Sequence, residues 1–99
     1  MAKDYSKYSD EHFVKMSASD DKLAFAAIVN RYKNDIAIVI KGMLGNVAEV
    51  DDIGLEVFVR FYNSIRKFRG DSALKTYLTR IAINLSLNEI KSRKRKRWL

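Results

Sequence analysis

FRGDSALKTYLTRIAINLSLNEIK, residues 68–91, is the stretch on which the fold turns. It opens on a short polar segment containing Gly70 and then runs from Asp71 to Lys91 without a glycine or proline. Asp and Ser are residue types that cap helices, and Asp71 or Ser72 can do so here. A helix is therefore expected from about Ala73 into the low nineties. At about 100° per residue, Leu74, Leu78, Ile81 and Leu85 align as one apolar stripe with Ala82 at its edge. Arg80, Asn84, Asn88, Lys91 and Arg95 fall beside it as a polar stripe. Ile83, Leu87 and Ile90 make a second, smaller apolar stripe, read as packing on another side of a bundle rather than as a partner groove.

Upstream, Phe25, Val29, Tyr32, Ile36, Val39, Ile40 and Met43 recur at steps of three and four, with Ser19 or Asp20 as the expected cap. Gly42 and Gly45 mark the end of that helix. Asn46 and Glu49 resemble a capping box opening a third helix. Its buried face is Val50, Ile53, Gly54, Val57, Phe61, Ile65 and Phe68, and Asp51, Asp52 and Glu56 lie near its start, where the dipole favours anions. A short first helix around Phe13, Val14 and Met16 takes Ser9 or Asp10 as its cap. With 99 residues, no proline and four glycines, the chain has room for one core and few breakers. The expected fold is all-α, a small bundle of about four helices.

The net charge of +7 is confined to one end. Residues 1–71 hold 11 Lys and Arg against 11 Asp and Glu, whereas residues 72–99 hold 8 against the single Glu89. Such polarity suits a polyanion, whose counterions are released as Lys and Arg approach; nucleic acid is the commonest, and an anionic membrane surface also fits. The longest apolar run, Ile36–Ile40, is far shorter than the roughly 18–20 residues a span requires. The polar opening lacks the apolar stretch of a signal peptide. No cysteine is present, so the expected setting is the cytoplasm, without stable membrane insertion. With His12 as the one histidine, and no glycine-rich phosphate loop or nucleophile triad, neither a metal, nor a cofactor, nor catalytic residues are expected.

Asn and Arg carry fixed donor and acceptor groups that match base edges, while Lys supplies point charge for phosphates. The polar stripe on the fourth helix therefore reads either as a DNA-facing surface or as a solvated basic face.

Taken in order, DDIGLEVFVRFYNSIRKFRGDSALKTYLTRIAINLSLNEIKSRKR (residues 51–95) resembles conserved region two of the extracytoplasmic-function group of sigma-70 family factors. It has an acidic helix start followed by Glu and Phe, then a Phe-Arg-Gly-Asp loop, Thr-aromatic-Leu, and Arg-Ile-Ala-x-Asn-Leu. FAAIVNRYKNDIAIVIKGMLG, residues 25–45, is similar to the family's preceding helix. The resemblance implies two tasks inside an RNA polymerase holoenzyme. Asp52, Leu55, Glu56 and Val59 would bind the clamp helices of the largest core polymerase subunit. Phe68, Arg69, Gly70, Asp71 and Ser72 would capture a base flipped from the non-template strand of the promoter minus-ten element. Arg80, Asn84 and Asn88, with Tyr77, would read the promoter, and Lys75 and Lys91 would contact phosphates. Without the resemblance, Asp51 and Asp52 are equally read as dipole stabilisers, and Phe68 as core beside a capping turn.

Three positions depart from the family pattern: Leu55 replaces its common Gln, Tyr77 its Trp, and Ile83 a frequent basic residue. Residues 1–95 read as the region-two-like domain and 96–99 as the start of a linker or basic tail. The family's second helical domain, which reads the minus-thirty-five element, is expected to be absent. The resemblance also implies capture by an anti-sigma factor. The alternative function is a helical protein-interaction module that binds nucleic acid without sequence preference through its basic end. A weaker reading places the tail with Trp98 on an anionic membrane.

Overall fold

In the computed structural model, which describes residues 9–19, 21–68 and 73–98, four α-helices follow one another with short connections. They are α1 (Asp10–Ala18), α2 (Lys22–Leu44), α3 (Glu49–Ser64) and α4 (Leu74–Arg97), and a 3-10 turn, Ile65–Lys67, prolongs α3. The expected all-α bundle of four helices is the observed fold.

The helix ends follow local chemistry, with some changes of partner. Ser9 caps α1, its hydroxyl accepting from the His12 N–H at 3.2 Å. At α2 the cap is Asp21, whose carboxylate accepts from the Ala24 N–H at 3.1 Å. Ser19 instead closes α1, donating its hydroxyl to the Lys15 carbonyl at 3.3 Å, and Asp20 lies outside the described residues. Gly42 is inside α2, which ends at Gly45 with φ of 85°. No capping box opens α3. Ala48 stands at its N-cap without a side-chain bond, and the Glu49 carboxylate faces Arg93 of α4 at 3.7 Å. α4 begins after Ala73, also uncapped by a side chain, and continues to Arg97, past the low nineties. Lys94–Arg97 fall in its last turn, where the negative end of the helix dipole offsets the repulsion between like charges.

α2 is the central helix and packs against α1, α3 and α4, while α3 and α4 also pack together. Its covered face is consequently wider than one stripe: Ala24 and Ile28 are buried along with Ile36, Ile40 and Leu44, while Phe25, Val29, Tyr32, Val39 and Met43 are only half-buried. On α4 the buried line is Leu74, Leu78, Ala82 and Ser86, flanked by Ile81 and Leu85. Small Ala82 and Ser86 at its centre allow close approach of the neighbouring helices. The second stripe does not pack as expected. Ile90 joins the core, but Ile83 and Leu87 remain 37% and 42% exposed. Full burial of a side chain such as Phe13, Ile28, Ile36, Phe61 or Leu78 contributes about 1.5–3 kcal/mol. A surface ion pair contributes about 0–1 kcal/mol, so the apolar core dominates.

α1 is also held by polar contacts. The Asp10 carboxylate accepts from Arg31 Nη1 at 2.8 Å and from the Tyr32 hydroxyl, while the Arg31 guanidinium lies 4.6 Å from the Phe13 ring centre. Burial, helped by the hydrogen bond to that carboxylate, raises the Tyr32 pKa from 10.0 to about 12. Among the described residues no helix is long and apolar enough to cross a membrane.

Candidate nucleic-acid interface

Because Leu74, Leu78, Ala82 and Ser86 fix which side of α4 faces inward, residues two positions away, about 200° round the helix, face out. Arg80, Asn84, Asn88 and Lys91 are all exposed, a ladder of hydrogen-bond donors leading into the basic last turn. Not every cation of that end is available. Arg93 is shared between Glu89 on α4, at 3.4 Å, and Glu49 at the start of α3, at 3.7 Å. It ties the acidic start of α3 to α4, while Lys94, Arg95, Lys96 and Arg97 are exposed. At the other end of α4, Lys75 lies 3.7 Å from Asp35 of α2, with both side chains largely in solvent. A pair so exposed is weak, and Lys75 keeps access to an anion.

Where the 3-10 turn approaches the first turns of α4, three rings meet edge to face. Phe68 and Tyr77 have centres 4.9 Å apart, and the buried Phe61 lies 6.1 Å from Phe68 and 5.9 Å from Tyr77. Phe68 and Tyr77 are both half-buried, so each is part of the core and part of a wall. Arg69, Gly70, Asp71 and Ser72, the remainder of the expected base-capturing loop and the expected caps of α4, lie outside the described residues.

On α3, Asp52, Leu55, Glu56 and Val59 are exposed together, with Leu55 at 67% and Val59 at 43%. Glu56 pairs with Arg60 one turn on, at 3.0 Å. Leu55 and Val59 also form part of a groove of about 620 Å³ between α2 and α3, with Phe25, Val29 and Ala37 on the α2 side and Gly54 between. The α2 wall was not singled out in the sequence, since Phe25 and Val29 satisfy a core pattern equally well. Ser64, at the end of α3, was likewise unmarked; its hydroxyl lies 3.0 Å from that of Tyr77. No group of three or more His, Cys, Asp or Glu among the described residues could hold a metal.

Residues 28–96 match the model of the sigma-70 region 2 family. The chain is 36% identical over 87 residues to the RNA polymerase sigma-H factor of Pseudomonas aeruginosa, covering 88% of this chain and 45% of that protein. It is 41% identical over 81 residues to the ECF RNA polymerase sigma factor SigW of Bacillus subtilis, covering 82% and 43% respectively. To the ECF sigma-E factor of Escherichia coli K12 it is 34% identical over 80 residues, covering 81% and 41%. The chain thus spans less than half the length of these relatives. An engineered region 2 of sigmaE, solved by NMR in complex with GTAAAA, superimposes with a TM-score of 0.82 at 25% identity, over 97% of both chains. A four-helix domain with these matches belongs to the sigma-70 region 2 family. Within it, the chain falls in the extracytoplasmic-function group.

Proposed function

We propose that the chain binds core RNA polymerase and recognises and melts the promoter minus-ten element in transcription initiation. One observation carries the DNA half of this reading. The exposed ladder Arg80, Asn84, Asn88 and Lys91 runs along α4 from the Phe68–Tyr77 corner to the basic end. Such a surface provides a ring wall for an unstacked base, amide groups for base edges and cations for phosphates. The similar sigmaE domain, seen in complex with GTAAAA, supports a single-stranded ligand. Arg69, Gly70, Asp71 and Ser72 complete the proposed base pocket, and Lys75 and Lys91 hold the backbone.

Docking on polymerase is assigned to Asp52, Leu55, Glu56 and Val59 together with the α2–α3 groove, whose lining is apolar apart from Lys22 and Lys33 on α2 and Asp51 on α3, as a surface for the clamp helices of the largest subunit. An anti-sigma factor would compete for the same face. The chain performs no chemistry of its own in this role. It acts in the cytoplasm, where the polymerase is.

Selection from a random pool of single-stranded DNA hexamers tests the reading. Enrichment of a defined hexamer, bound more tightly than its scramble, is the expected result; recovery of an unbiased pool would refute sequence reading.

A further inference from the structure

Ser64 closes α3 beside the ring corner, and its single proton decides what Tyr77 does. The Ser64 Oγ lies 3.0 Å from the Arg60 carbonyl and 3.3 Å from the Phe61 carbonyl, both of which only accept. The hydroxyl proton is therefore directed to the helix backbone, a common use of Ser one turn past its acceptor. Toward the Tyr77 hydroxyl, 3.0 Å away, the same oxygen acts as acceptor. Tyr77 then donates to Ser64, and its proton is not free for a ligand. The bond joins the last turn of α3 to the first turns of α4 across the 3-10 turn. It holds the Tyr77 ring at one angle against Phe68, 66° between planes.

We infer that Ser64 is a positioning residue: by accepting the Tyr77 hydroxyl it fixes the Phe68–Tyr77 corner as a wall for a nucleobase, to which Tyr77 presents its ring and not its hydroxyl. The inference rests on the proposed reading of single-stranded DNA. It deepens that reading by separating two roles within one side chain, and it applies to a tyrosine hydroxyl, which the tryptophan common at this position lacks.

Two measurements test it on the full chain. In the first, the affinities of the selected hexamer and its scramble are compared for the parent protein, Ser64→Ala, Tyr77→Phe, the double variant and Ser64→Thr. Loss of one neutral hydrogen bond corresponds to roughly a two- to tenfold change. Ser64→Ala and Tyr77→Phe should each reduce the preference by that amount, the double variant should go no lower, and Ser64→Thr should retain the preference. An unchanged preference in Ser64→Ala, additive losses in the double variant, or parallel weakening of both strands would overturn the inference. In the second, ring-proton NMR contacts between Tyr77 and Phe68 are recorded without DNA. Their weakening in Ser64→Ala supports positioning, and their persistence at full strength overturns it. If the parent protein shows no strand preference, the DNA reading fails while the NMR comparison still decides the role of Ser64.

Discussion

Asn84 lies midway along the exposed ladder of α4, with no part in the core, so its replacement probes recognition without disturbing packing. Asn84→Ala should lower affinity for the selected hexamer by about 1–3 kcal/mol while sparing its scramble. Lys91→Ala should weaken both strands alike and reduce the slope of log affinity against log salt by about 0.7, the single-strand value for one phosphate contact. Parallel titrations of the two variants over a salt series would separate reading from charge. Tyr32 makes a prediction in pH. Its folded pKa of about 12 exceeds the ordinary value of 10.0, so the folded state keeps the phenol proton that the unfolded state releases. The stability this provides is complete below pH 10 and is lost as pH rises toward 12. Chemical denaturation across that window should show a fall that Tyr32→Phe makes shallower.

At the level of the element, two glycines of α2 have opposite expected behaviour. Gly42 is inside the helix, and a Cβ there would meet nothing within 4 Å; Gly42→Ala should stabilise by about 0.5–1 kcal/mol. Gly45 also has open space, but its φ of 85° with ψ of −177° belongs to glycine, and Gly45→Ala should cost about 1–3 kcal/mol. Thermal melting of the two variants checks the signs. Elements were legible in the sequence wherever a 3.6-residue repeat was strong, as in α2 and α4. Caps were less so, because adjacent Ser19, Asp20 and Asp21 offer the same chemistry and only the geometry of the chain entering α2 selects Asp21. Ser86 belongs to neither the apolar nor the polar stripe read from the sequence, yet it is fully buried; its burial depends on the approach of other helices, which no local pattern encodes. The Asn46–Glu49 box failed for a related reason, since Glu49 faces Arg93, 44 positions later in the chain, at 3.7 Å.

Over the whole molecule, the most acidic and the most basic helix turns are sorted onto different helices. The first turn of α3 carries Glu49, Asp51 and Asp52, while the last turn of α4 carries Lys94, Arg95, Lys96 and Arg97. One surface is thereby suited to a protein and the other to a polyanion. The α4 ladder could be read from sequence, because residues on one helix have a fixed relation. The α2–α3 groove could not, since its walls meet only through tertiary packing. Gly54 gives a direct probe of that groove: a Cβ added there reaches only the Ile40 Cδ1, at 4.0 Å. Gly54→Leu should fill the groove without unfolding the bundle and weaken capture of core RNA polymerase by about tenfold, or about 1.4 kcal/mol. Retention of polymerase by immobilised protein would measure it, and undiminished retention would remove the groove from the docking surface.

Recognition of single-stranded minus-ten DNA is tested most directly by measuring the selected hexamer, its scramble and its complement on the unmodified chain at several salt concentrations. The hexamer is expected to bind roughly tenfold or more tightly than either control, with the preference persisting while all three affinities fall as salt rises. Equal affinity for the three strands at every salt concentration would contradict it and leave only attraction between a basic helix end and phosphate.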